Sequence, residues 1–583
     1  MSITIQTRDG VARRLSEQYL NTWCREMALP DPRLAALATL EDRDAGLAAH
    51  IAEWRTRDWM PFAVTFSGAG ARVAGAFDYF SPVGYHRLAG PLWLRGGASG
   101  ANASDWTRID DVGTLSDLIA AELAATSTAP GAAANRERLA TLMRNSIAKV
   151  GRFHRDPVDT PRPGYVASEQ GLRFGHVFHV TSKAADGFDD DDLRAYAPEL
   201  GAAFQLHYFA VRSDLMDMRA LDRKAVPIDP AAMHFAEALL REGDYRLLPC
   251  HPWQARYLLA QPDMAMLVRD RAVISLGTQG EQVWPTSSVR TVWLPSLQLF
   301  MKLSLNIRIT NFVRNNPDEQ VARALDASVA IGLLPEQRLR QDHFRVLREI
   351  GSETLKVPSA ALRAACAVIY REAMPAADTT ELHLAAALLE ESALGHVPLL
   401  DVVRRAAGGA APDAAFIERW WLRYLDVTLV PMLELYADYG ISLEAHLQNS
   451  LVAFKDGWPR RGYARDMEGT AISRQRFPFA DRLVADSPAL YDEAQAWHRF
   501  QYYVLVNHIG HVAACLARLG VRGEATLWRA AAERLRACEG NTRELVDTLL
   551  RQPTLPAKAN MLSSFHQQGE TPAWIAISNP LKT

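Results

Sequence analysis

The chain has 583 residues, too long for a single hydrophobic core and suited to roughly two to four domains. Its 48% hydrophobic content, 22% charged content and formal net charge of -3 describe an ordinary globular protein and exclude a disordered or fibrous one, while the bulk basic footprint of a nucleic-acid binder is absent. The five cysteines show no CxxC spacing and read as free thiols, the N-terminus lacks the apolar core of a signal peptide, and no apolar run approaches the roughly 20 residues of a membrane span, so a cytoplasmic protein with no nucleic-acid or membrane partner is expected.

In chain order, residues 11–55 carry helical periodicity, with Leu15, Tyr19 and Trp23 at spacings of four and a second Ala/Leu-rich run over 32–54. Short β-prone runs follow at 62–66, 72–79 and 85–94. Gly68, Gly70, Gly96, Gly97 and Gly100 form no phosphate-binding glycine motif and read as turns. Residues 115–150 are helical apart from a loop-like patch at 126–133, and the Pro/Asp-rich stretch 155–164 marks a first boundary. In the segment 175–188, His176 and His179 are three apart. On a strand that spacing puts them on opposite faces, which disfavours a shared metal unless the backbone turns at Val177 and Phe178. His251 to Gln254 reads as a strand end leading into a helix over 253–260, with Pro252 suited to its first position.

The most informative stretch is 284–314. Leu299, Met301, Leu303 and Leu305 alternate with Gln298, Lys302, Ser304 and Asn306, Phe300 being the exception, which predicts a half-buried strand. A β-rich run at 287–294 precedes it, and Pro295-Ser296 between them predicts an antiparallel hairpin. Lys302, one of only eight lysines, then projects from a sheet beside Ser288, Arg290 and Thr291, an arrangement suited to a polyanion such as a nucleoside triphosphate. A helix over 317–331 follows, and a second boundary falls near 345–356. Beyond it helices are expected at 359–372, 379–394, 413–439, 488–519, 525–538 and 542–551.

One segment interrupts that helical third. Glu444, His446, Gln448 and Asn449 precede a β-rich run to Phe454, a turn over 455–462 and then Arg465-Asp466. Carboxylate and amide oxygens without thiolates suit Mg²⁺ shared with phosphates, and His446 is placed to touch a phosphate. The layout is similar to a kinase catalytic loop followed by its metal-binding Asp, but neither HRD nor DFG is present.

Four blocks together carry a family resemblance over nearly the whole chain. They are Gly175, His176, His179, Lys183, Gly187 and Phe188; His251 to Gln254; Ser288, Arg290 and Thr291 followed by Lys302, Leu303, Leu305, Thr310 and Arg314; and His446, Gln448 and Asn449 followed by Arg465 and Asp466. In order and spacing these blocks resemble the NRPS-independent siderophore synthetases, the aerobactin-synthetase-like IucA/IucC family. Val177 and Val180 stand where the family often has prolines, a departure that leaves the geometry of the two histidines open.

The resemblance implies a mixed α/β fold shaped like a cupped hand. Its parts would be an N-terminal thumb (1–160), fingers with an antiparallel-sheet nucleotide-binding hairpin (161–355) and a mostly helical palm (356–583). It implies ATP-dependent adenylation of a polycarboxylic acid, usually citrate, then attack by an amine or hydroxyl nucleophile with release of AMP, in a homodimer. The catalytic set is then Lys302, Arg314 and His446, and the nucleotide contacts are Ser288, Arg290, Thr291, Lys302, Arg314, His446, Gln448, Asn449 and Asp466. Thr310, Lys558 and one of His176 or His179 would position substrate carboxylates, and Glu444, Asn449 and Asp466 would hold Mg²⁺. The alternatives are a kinase-like phosphotransferase releasing ADP and a non-catalytic nucleotide sensor.

Overall fold

The computed structural model describes every residue except 1, 30, 35–45, 98–104, 157, 159–161, 163, 222–226, 243, 311, 340–341, 570 and 583. Residues 35–45 of the helical run expected at 32–54, Gly100 and part of the boundary at 155–164 therefore lie outside the described residues, while the end of that run is the helix Ala48–Thr56. The fold is mixed α/β with antiparallel sheets, as the resemblance implies.

The N-terminal part lays the helix Ser2–Glu26 against a five-stranded sheet that begins with the hairpin Met60–Phe66 and Ala71–Tyr79. Leu15, Tyr19 and Trp23, spaced by four, face one way along the helix and are buried against Phe62, Val64 and Phe66. The same core takes in Met561 and Phe565 near the opposite end of the chain. Glu26 reinforces that junction by accepting the backbone N–H groups of Met561 and Leu562, both at 2.9 Å.

The middle of the chain forms an eight-stranded sheet, antiparallel throughout. Its order is Met216–Ala220, Glu349–Leu355, Val368–Glu372, Leu299–Lys302, Thr291–Leu294, Val273–Pro285, Phe204–Arg212, Tyr245–Cys250. The predicted hairpin is present: Thr291 faces Lys302 and Leu294 faces Leu299, with Pro295–Leu297 as the turn. Two expectations fail. All four residues of Leu299–Lys302 are buried rather than half-buried, because Leu299, Met301 and Leu303 enter one core while Phe300 packs with Trp293 in another on the opposite face. The first strand also starts at Thr291 and not at 287, since residues 287–290 form a turn in which Val289 takes φ +68°.

Beyond 355 the helices expected at 359–372 and 379–394 are each part strand. Ser359 caps the short helix Ala360–Cys366, and the β-branched and aromatic run Val368–Glu372 then pairs with Leu299–Lys302, so the chain past the expected boundary at 355 still builds the central sheet. Leu382–Leu384 likewise joins Ser450–Lys455 ahead of the helix Ala385–Leu389. The expected helix at 413–439 is two, Ala414–Val427 and Leu429–Tyr439, broken at Thr428. Pro431 accounts for the break, because its ring would collide with the carbonyl of Val427 in a continuous helix. Glu493–Phe500, the π-helical Gln501–Ile509 and Gly510–Ala517 run on as one rod within 488–519. The turn expected over 455–462 is tighter, Asp456-Gly457, and joins Ser450–Lys455 to Trp458–Ala464.

Candidate active site

The nucleotide hairpin, the His176 turn, the segment 444–449, the loop after Trp458–Ala464, the π-helical stretch and the strand Thr554–Lys558 converge on one cavity of about 610 Å³. All fourteen residues singled out above line it: His176, His179, Ser288, Arg290, Thr291, Lys302, Thr310, Arg314, Glu444, His446, Gln448, Asn449, Asp466 and Lys558.

Lys302 reaches the cavity from a strand buried on both faces. Its Nζ donates to Asp466 Oδ1 and Glu468 Oε2, each at 2.7 Å. Burial disfavours the ammonium, but Asp466 and Glu468 more than offset this, and its pKa is raised. Asp466 sits at φ +72°, a left-handed conformation costly for a residue other than glycine, and is also 3.3 Å from Arg371. Burial would raise its pKa, yet Lys302 and Arg371 hold it far below the usual carboxylate range. Arg371 is fixed by Glu349, whose other oxygen accepts the N–H of Met467 at 3.0 Å.

Ser288 and Arg290 project from the turn ahead of Thr291. Ser288 Oγ accepts from Thr291 N–H at 3.2 Å, and Arg290 donates to the carbonyls of Arg314 and Asn315 and to Asn316 Oδ1. Among the described residues the Arg314 guanidinium donates only to the Ile309 carbonyl and Thr310 Oγ, at 3.1 and 3.0 Å. No carboxylate pairs with it among the described residues, and burial, assisted by Arg290, brings its pKa down to about 10.

Of the two geometries left open for the histidines, the turn is the one present. Residues 177–178 and 180–183 are turns, so the backbone bends at Val177 and Phe178 and both rings face the cavity, 6.5 Å apart. Glu390 anchors this turn by accepting the N–H groups of Arg173, Phe174 and Gly175. One local motif recurs: His176, His179 and His446 each accept at Nδ1 the N–H two residues on, from Phe178, Thr181 and Gln448. For His179 an accepting Nδ1 places the proton of a neutral ring on Nε2, whereas the Nε2 atoms of His176 and His446 face the amide donors Asn507 Nδ2 and Asn449 Nδ2, at 2.6 and 3.4 Å. Burial keeps all three rings neutral, with His179 lowered to about 4. The Nε2 of His176 meets Asn507 Nδ2 at 2.6 Å, leaving His179 the freer of the pair.

Lys558 Nζ donates to Tyr503 OH at 2.7 Å, and burial lowers its pKa. Gln448 donates to the carbonyl of Ser287 at 3.1 Å, which joins the segment 444–449 to the nucleotide turn. Arg465 strengthens the joint by donating to the Gln448 carbonyl and to Glu169, while Glu169 accepts the N–H of Ser287 at 3.0 Å. The block 251–254 lies away from the cavity. His251 caps its helix, Gln254 donates to the Ala365 carbonyl and accepts from Asn306 N–H, and both are structural. Arg371, Glu468, Tyr503 and Asn507 line the cavity without having been singled out. Glu468, two residues beyond Asp466, is the one whose position in sequence offered a signal.

The Asp466 and Glu468 carboxylates and the Asn449 amide are hard oxygen donors of the kind Mg²⁺ takes, and no cluster of three His, Cys, Asp or Glu side chains gathers among the described residues. This fits an ion that takes one or two protein carboxylates and fills its shell with water and phosphate.

The comparisons with known proteins agree with this architecture. The model described as IucA / IucC family matches residues 164–390. L-2,3-diaminopropanoate–citrate ligase of Staphylococcus aureus is 34% identical over 536 residues, covering 87% of this chain and 89% of the relative. The chain belongs to the IucA/IucC family. A second model, described as ferric iron reductase FhuF-like transporter, matches residues 418–573. The rhizobactin siderophore biosynthesis protein RhbC of Rhizobium meliloti is a further relative, 28% identical over 91% of this chain and 94% of its own. ATP-bound aerobactin synthetase IucA of Klebsiella pneumoniae superposes with a TM-score of 0.80 at 24% identity, over 97% of this chain and 99% of that one. The petrobactin biosynthesis protein AsbB of Bacillus anthracis gives 0.77 at 18% identity, over 100% and 96%. These likenesses establish the fold of an IucA/IucC protein.

Proposed function

We propose that this IucA/IucC protein is an ATP-dependent siderophore synthetase that adenylates a carboxylate of a polycarboxylic acid, citrate, and condenses it with an amine or hydroxyl nucleophile. The observation that carries this reading is the charge arrangement of the cavity: Arg314 and Lys558 line it with no carboxylate paired to either among the described residues, and the Lys302–Asp466–Glu468 cluster lines the same cavity. Two polyanions, ATP and a polycarboxylate, fit such a site, and relatives named citrate ligases support the choice of acid.

In the first step a carboxylate oxygen attacks the α-phosphorus of ATP, forming the acyl-phosphate bond as the bond to pyrophosphate breaks. Both reactants are anions, so the protein must supply positive charge where negative charge accumulates. Arg314 and His446 flank the α-phosphate, Arg290 and Lys302 meet the remaining phosphates, and Ser288, Thr291 and Gln448 fix their orientation. Asp466, Asn449 and Glu444 would hold Mg²⁺, with Glu468 beside Asp466, and the ion would neutralise phosphate oxygens when bound. The Nε2–H of His179, Thr310 and Lys558 hold the acid's other carboxylates as a pre-oriented donor set. In the second step the nucleophile attacks the acyl carbon, the bond to AMP breaks, and the nucleophile's proton is released. A cytoplasmic homodimer belongs to the same reading, and sedimentation velocity tests the dimer.

The direct test is a pyrophosphate-release screen of polycarboxylic acids with hydroxylamine as the trapping nucleophile. Citrate-dependent pyrophosphate and a hydroxamate product support the proposal, whereas no pyrophosphate with any acid would overturn it.

A further inference from the structure

A second cavity, of about 810 Å³, shares the strand Val368–Glu372 with the active site as a wall. Consecutive side chains on a strand point to opposite faces, and here Arg371 lines the first cavity while Glu372 lines the second. The apolar lining of the second comes from Ile331 and Leu334, Phe344 on the edge strand Phe344–Val346, Met374, and Pro431 and Leu435 on the helix Leu429–Tyr439. Three arginines line it as well, and two of them are paired. Arg338 donates to Glu434 at 2.8 Å and to Asp438, and Arg348 donates through Nε to Glu372 at 3.2 Å. Arg345 differs. It is half-buried, its Nε is shielded from water with no hydrogen-bond partner, and no carboxylate pairs with it among the described residues. A shielded, unbonded guanidinium nitrogen is costly, and one carboxylate satisfies it together with a neighbouring Nη in a bidentate contact.

We propose that this cavity is a second ligand site, separate from the active site, for an amphipathic monoanion: an aromatic carboxylate whose rings rest on the apolar lining and whose carboxylate meets Arg345. The volume lies within the roughly 300–1,000 Å³ of sites that enclose small organic molecules. The charge balance sets the ligand's charge. Arg345 offers one unpaired positive charge, while Glu336 and Glu372 line the same cavity and repel any further negative charge, so a nucleotide or a polycarboxylate is rejected. An apolar body is required because Arg345 alone, still partly in water, holds a small hydrated anion weakly. Arg345 and the apolar lining take no part in the adenylation chemistry, so this site stands whether or not that chemistry is the right one.

The probe is anilinonaphthalene sulfonate, an aryl monoanion that brightens when it leaves water, titrated into the full chain with Mg²⁺ and ATP present to occupy the active site. Wild type is expected to bind it at one saturable site. Naphthoate should displace it, whereas naphthylmethanol, the uncharged counterpart, and citrate should compete at least roughly 10-fold less well. Arg345→Gln, which removes the charge at little cost to packing, should weaken probe and naphthoate binding by roughly 10- to 100-fold, the size of a lost charge-assisted pairing. Arg345→Lys, which keeps the charge without the planar fork, should fall between the two. Unchanged affinity in Arg345→Gln, equal competition by naphthylmethanol, or displacement of the probe by raising ATP would each overturn the site. No probe binding by wild type, with Arg345→Glu changing the sedimentation coefficient, would overturn it in favour of a second copy of the chain covering this face.

Discussion

Among single residues, Arg314 and Lys302 separate chemistry from stability in different ways. The Arg314 guanidinium donates only to a carbonyl and a hydroxyl among the described residues. Arg314→Ala is therefore expected to lower citrate-dependent pyrophosphate release by roughly 10²- to 10³-fold with little change in Tm, as read by thermal melting. Lys302 is buried between two carboxylates, and Lys302→Ala should lose activity and lower Tm together, because Asp466 and Glu468 are left without their shared cation. His251 tests the electrostatics of burial away from the cavity. It is fully buried, with its pKa lowered to about 3, because desolvation penalises the charged ring. The unfolded chain protonates this ring near the ordinary value of about 6.5, whereas the native state resists protonation until about pH 3. Stability is thus full above pH 6.5 and falls as pH drops toward 3. His251→Asn, which keeps a capping oxygen for Trp253 N–H, should lose less stability than wild type between pH 7 and 4.5, by about 2–3 kcal/mol in urea titrations.

At the scale of elements, the site depends on turns tied to one another rather than on any single strand. Arg465 joins three of them: it pairs with Glu169 on the helix Gly164–Gln170 and donates to the Gln448 carbonyl, while Glu169 holds Ser287. Arg465→Ala should cost about 3–5 kcal/mol, since Glu169 is left buried and uncompensated. Equilibrium unfolding measures this, and Glu169→Gln combined with Arg465→Ala should recover part of the loss.

The sequence patterns were legible where a period or a turn signal was strong. The alternation around Lys302 and Pro295-Ser296 predicted the hairpin, and the Arg465-Asp466 loop was placed on the far side of a hairpin that is present. Val368–Glu372 was read as helix because its strand character depends on the neighbouring Leu299–Lys302, a pairing invisible to local periodicity. The turn at residues 287–290 was missed for a related reason. Val289 favours strands by type, and tertiary contacts hold it at φ +68° instead. The histidine turn was hidden likewise, being held by Glu390 more than two hundred positions away.

Across the whole molecule, the cavity draws on every part of the chain. The N-terminal helix supports the histidine turn through Gln18, which donates to the carbonyls of His176 and His179, and packs against the C-terminal segment that carries Lys558. The family resemblance reached the fourteen residues block by block, but the cations Arg371 and Arg499 come from elements that bear no motif and became visible only once the chain was folded. The cluster of carboxylates and cations also suits a phosphotransferase, and the two chemistries part at the phosphorus attacked. Quantifying the nucleotide products formed from ATP, Mg²⁺, citrate and an amine therefore tests the central claim most directly. AMP and pyrophosphate in equal amounts, dependent on citrate, are the predicted result, and ADP as the product would contradict it.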